Sequence, residues 1–128
     1  MIYVDTSVVL AQAFAEDRLP DPAIWLEPLV SSRLLEHEVW IRIHGAGLAG
    51  SHGDVVRRLL DGIAFEELDR DVLARSLDPF PVRVRTLDAL HLSTLHFLRV
   101  RGLHLELATF EPRMRDAAAA AGIPLARI

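Results

Sequence analysis

An apolar run of strand length, Ile2-Tyr3-Val4, stops abruptly at Asp5, and a hydroxyl pair, Thr6 and Ser7, leads at once into the helix-like stretch Val8-Val9-Leu10-Ala11. A buried strand that hands straight over to a helix is the opening unit of an α/β sheet. It leaves Asp5 at the carboxyl edge, where open α/β folds place their ligands. Fold and candidate site are tied to the same short segment.

The alternation continues along the chain. Residues 7–15 read as a helix and 17–22 as a polar, proline-bounded turn. A strand over 29–31 ends at Ser32, an N-cap for a helix over 34–48. Gly45, Gly47, Gly50 and Gly53 break the pattern before a short helix over 54–60 and a strand over 63–65. A helix over 71–77 runs into Asp78-Pro79-Phe80-Pro81, a rigid connector that cannot be helical throughout. Thr86 caps the longest helix, 87–101, which Gly102 stops. A strand over 103–108 follows. Pro112 fits the first turn of a last helix ending before Gly122, and 123–126 reads as an edge strand. Strands and helices in alternation predict a mostly parallel, five-stranded sheet with helices on both faces, in one domain over 1–128.

Composition removes several chemistries. All 14 basic residues are arginine. A P-loop, a Schiff-base enzyme or a phosphotransferase domain with a lysine in its site is therefore excluded. There is no cysteine, and no apolar run approaches the ~20 residues that span a bilayer, so a soluble cytoplasmic protein is expected. With a net charge of −4, any polyanion would have to be held by local arginine clusters and metal ions.

The acids carry the chemistry. Asp5 follows the first strand, Glu38 lies inside the helix after the second, Asp88 opens the long helix, and Glu111 follows the 103–108 strand. Glu38 has Leu34, Leu35 and Ile41 as helical neighbours, an apolar stripe on which a carboxylate needs a partner. An ion pair with Arg42 would satisfy it without any metal. Asp88 stands where a helix dipole stabilises an acid by about 0.3–1 kcal/mol, and Asp5 and Glu111 could be ordinary N-terminal acids too. Their concurrence at one sheet edge argues otherwise, because a single pair of carboxylates ~4 Å apart repels by about 4 kcal/mol at an effective dielectric near 20. A divalent cation relieves this. Oxygen-only ligands suit Mg²⁺ or Mn²⁺ over zinc, and such a cation suits phosphodiester cleavage.

The stretches IYVDTSVVL, SSRLLEHEVWIR, RTLDALHLSTL and LATFEPRMRDAAAAAG resemble, in order and spacing, the successive blocks of the PIN domain. Within it they are most similar to the VapC-type toxin ribonucleases of bacterial toxin–antitoxin pairs. The resemblance implies an α/β/α sandwich, an Mg²⁺- or Mn²⁺-dependent endoribonuclease acting on RNA, a homodimer, and a cognate VapB-type antitoxin. Asp5, Glu38 and Asp88 match the family's first three acids, with Arg42 as a partner of Glu38. The fourth position departs from the pattern, with Glu111 where aspartate is usual. Thr6, Ser7 and Thr109 could orient ligands or water through their hydroxyls.

His91, three residues after Asp88 on the same helix face, reads as a satisfied core or interface histidine. His37, His44, His52, His96 and His104 show no metal-like spacing. Arg99 and Arg101 suit a helix C-terminus, whereas Arg83 and Arg85 stay open between solvated charge and a grip on RNA phosphates. Trp25 and Trp40 read as core or as part of an antitoxin groove. The competing class is a catalytically silent PIN-like binding module, for which Glu111 is the only support.

Overall fold

Consecutive β-branched and aromatic side chains make Ile2–Val4 the first strand, β1. β2 (Leu29–Ser32), β3 (Ile63–Glu66) and β4 (Glu106–Ala108) follow in chain order in the computed structural model, which describes every residue from Met1 to Ile128. The sheet order is β3-β2-β1-β4, and every pairing is parallel. Tyr3 stands beside Val30 on one side and Leu107 on the other, so β1 is buried within the sheet.

Alternation along these strands feeds two cores. Val4, Leu29 and Ala108 face helices α1 (Thr6–Ala13), α2 (Arg33–Gly45) and α3 (Ala49–Asp61), where Val8, Val9, Leu35, Val39, Ile43 and Val56 are fully buried. Tyr3, Val30 and Leu107 face the other side. After the short α4 (Arg70–Leu73), that side is covered by α5 (Thr86–Val100) and α6 (Pro112–Ala120), through Leu92, Leu95, Leu98, Met114 and Ala118. The result is the expected three-layer α/β/α sandwich.

The sheet has four strands, not five. Residues 123–126 make one parallel bridge, Leu125 to Leu107, because Pro124 has no N–H with which to continue a ladder. The 103–108 strand begins only at Glu106, opposite Ile2. Leu103 and His104 precede the start of β1, have no strand to pair with, and are exposed. The third helix starts at Ala49 instead of residue 54, carrying Gly50 and Gly53 inside it. Its buried face of Gly53, Val56 and Leu60 outweighs the ~1 kcal/mol that each helical glycine costs. The break before it is confined to Gly47, whose φ of +69° is left-handed. The helix expected over 71–77 is α4 continued as a 3₁₀ turn, Ala74–Leu77. Arg85, not Thr86, is the N-cap of α5. On α2 the inward stripe is Leu35, Val39 and Ile43, while Ile41 is 70% exposed. Glu38 therefore flanks the buried stripe and does not lie within it. No helix is long and apolar enough to cross a membrane.

Candidate active site

The carboxyl ends of β1, β2 and β4 and the N-terminus of α5 enclose a cleft of about 490 Å³ whose walls include Asp5, Glu38, Asp88 and Glu111. All four predicted acids are thus brought together, as are Thr6, Ser7 and Arg42. Apart from Leu10 and Leu87, its lining residues are polar or charged.

Asp5 is 5% exposed and held from one side only. Its Oδ2 accepts from Ser7 Oγ at 2.7 Å, from Thr109 Oγ1 at 2.8 Å, and more weakly from the Ser7 amide at 3.4 Å. The hydroxyls have little choice. Ser7 Oγ itself accepts the Phe110 N–H at 3.0 Å, and Thr109 Oγ1 accepts the Glu111 N–H at 3.0 Å, so both protons turn to the carboxylate. Oδ1 has no protein donor, and Asp5 presents it at the cleft.

Glu38 is held through the opposite core. Its Oε1 accepts from Thr6 Oγ1 at 2.8 Å and from His91 Nε2 at 2.6 Å. His91, 2% exposed, meets the Tyr3 hydroxyl through Nδ1 at 2.9 Å, and Tyr3 Oη also accepts the Ser32 N–H at 3.2 Å. A backbone amide of β2, a phenol of β1 and an imidazole of α5 thereby form a chain that ends on one carboxylate oxygen. Burial pushes Tyr3 far above the ordinary tyrosine range, so it stays a phenol. Burial also opposes charge on His91, but the hydrogen bond to Glu38 and the fields of Asp5, Glu38 and Asp88 outweigh it and hold the imidazole above its usual value. The expected pairing of Glu38 with Arg42 is absent. Thr6 and His91 already occupy the inner oxygen, and Arg42 is exposed, lining the cleft without an ion pair.

Asp88 accepts the Arg85 N–H through Oδ2 at 3.2 Å, the first-turn contact that its position implied. Glu111 is the N-cap of α6, and its carboxylate meets no protein donor. Each of the four acids therefore keeps at least one oxygen clear of protein partners. They line the walls, and no three acid or histidine side chains are grouped closely enough to cage an ion. Oxygen-only donors of this kind suit a hard divalent cation that keeps several of its own waters.

The Tyr3–His91 link to Glu38 was the part not read from sequence. The sequence marks His91 as a satisfied core or interface histidine; its partner is an acid of the site. The available signal was spacing: His91 lies one turn from Asp88, and Tyr3 alternates away from Val4 and so toward α5.

The model of the PIN domain matches residues 2–120. "Ribonuclease VapC46" of Mycobacterium tuberculosis (strain ATCC 25618 / H37Rv) is 34% identical over 126 residues, covering 95% of this chain and 93% of that protein. A chain of a toxin-antitoxin complex from Klebsiella pneumoniae superposes with a TM-score of 0.64 over 94% of both chains, at 16% identity, a likeness of fold alone. With sheet order, acid cleft and a match over nearly its whole length in agreement, the chain belongs to the PIN domain family.

Proposed function

We propose that this protein is the toxin of a toxin–antitoxin pair, an endoribonuclease that hydrolyses RNA phosphodiester bonds with Mg²⁺ or Mn²⁺. The observation that supports it is the cleft in which Asp5, Glu38, Asp88 and Glu111 each keep an oxygen uncommitted. Those acids are the residues that would hold the cation, Glu111 directly or through water. When bound, the cation supplies charge neutralisation at the scissile phosphate and makes water acidic enough at neutral pH to attack it.

The chain's own contribution is positioning. Ser7 and Thr109 fix the Asp5 carboxylate, Thr6 and His91 fix Glu38, and the Arg85 amide fixes Asp88. His91 does not serve as a base on cleft water, because both ring nitrogens are engaged within the protein. The similarity to a ribonuclease and to a member of a toxin-antitoxin complex extends the reading to RNA as substrate and a cognate antitoxin as partner; a homodimer is the assembly that the family resemblance implies. Light scattering of the purified protein at the mass of one chain would remove the dimer.

Cleavage of RNA that requires Mg²⁺ or Mn²⁺, stops in excess EDTA, and falls at least about 100-fold in Asp5→Asn is the expected result. Undiminished cleavage in EDTA would reject metal dependence. A folded protein that cleaves no RNA with either ion would leave the silent binding module, which the Glu111 replacement favours.

A further inference from the structure

Beside the acid cleft lies a second one, of about 460 Å³, lined by Arg83, Val84, Arg85 and Arg113. Arg85 belongs to both. The same two helix N-termini contribute to both clefts. In the segment entering α5, Arg83 and Arg85 precede Asp88; at the start of α6, Glu111 is followed at two residues by Arg113. Each helix N-terminus thus gives an acid to one cleft and arginine to the other.

None of these arginines has a carboxylate partner. The arginine ion pairs of this protein are Arg33 with Glu36 and Glu67, and Arg57 with Asp54, all elsewhere. Val84 is half-buried between exposed Arg83 and Arg85, which sends both guanidinium groups to the same side of an extended segment. Guanidinium groups gathered around one cavity without counter-charge call for an anion. In a chain of net charge −4, this is a local reversal of sign next to the acids.

We propose that Arg83, Arg85 and Arg113 form a subsite for a backbone phosphate of single-stranded RNA adjoining the scissile bond. The inference rests on the ribonuclease reading and deepens it. Guanidinium forks bind phosphate oxygens bidentately and read no base, so the subsite sets register and affinity and leaves sequence choice to other contacts.

The test is binding of a short fluorescent oligouridylate, followed by anisotropy in EDTA over a series of KCl concentrations, so that cleavage does not intervene. Arg83→Ala and Arg113→Ala are each expected to weaken binding several-fold. Each should also lower the slope of log affinity against log salt by about 0.7, the value for one phosphate contact on a single strand. Both residues are exposed, and melting temperatures should match the wild type. Arg83→Lys and Arg113→Lys keep the charge and should restore most of the slope. Calorimetric Mn²⁺ binding should be unchanged in all four variants, separating this subsite from the acid cleft. If the wild type binds the RNA and the Arg83→Ala/Arg113→Ala double variant matches it in affinity and salt slope, the subsite is overturned. If the wild type cleaves and binds no RNA at all, the ribonuclease reading falls as well.

Discussion

At the scale of single residues, the site is a set of four carboxylates, of which Asp5, Glu38 and Asp88 are each tethered by one oxygen and Glu111 by none. Asp5 is tethered by hydroxyls whose protons are committed by backbone amides, and Glu38 by an imidazole braced against a buried phenol. This has a consequence for pH. His91 is held above its usual value of 6.5 in the folded chain. A raised folded value means that the stabilisation is fully present below 6.5 and is lost as pH rises through the higher folded value. In excess EDTA, the wild-type melting temperature should therefore decline as pH rises from 6.5, and Glu38→Gln should flatten that decline. Parallel pH profiles for the two proteins would show that the His91–Glu38 contact carries no such linkage. The acids themselves are legible in the sequence, because Asp5, Asp88 and Glu111 sit at a strand end or helix start and Glu38 stands among apolar neighbours inside a helix. Their tethers were less so: Thr6, Ser7 and Thr109 were foreseen as orienting groups, but the Tyr3–His91 brace joins residues 88 positions apart, and no local pattern announces it.

At the scale of elements, strand and helix order was readable from apolar periodicity, and the errors share one cause. Boundaries follow what an element packs against more than what its residues prefer. β4 is short because β1 is short, and Pro124 limits 123–126 to a bridge. Gly50 and Gly53 suggest breaks, but α3 runs through them because the face formed by Gly53, Val56 and Leu60 is buried. The true breaker is Gly47, which adopts left-handed φ with open space around the position of a Cβ. Gly47→Ala is accordingly a backbone test with no steric component. It should destabilise the fold by about 1–2 kcal/mol in chemical denaturation and leave Mn²⁺ affinity unchanged. A neutral effect would mean that the turn between α2 and α3 relaxes at no cost.

At the scale of the molecule, an acid cleft and an arginine cleft stand side by side on a chain with modest negative charge. A cation that binds only the folded chain must raise its stability, by about 2.7 kcal/mol when present at a hundred times its dissociation constant. Mn²⁺ should therefore raise the melting temperature of the wild type and leave that of Asp5→Asn almost unmoved; equal shifts would place the ion outside the cleft. The sheet order adds a last consequence, one of timing. The strand that leads into Asp5 precedes the other three in the chain, yet it occupies the interior of the sheet, and one of the two hydroxyls that seat the Asp5 carboxylate comes 104 residues later. A chain growing on the ribosome thus holds the acid long before it holds the setting, and the site comes into being only once the segment from Thr109 to Glu111 has been made.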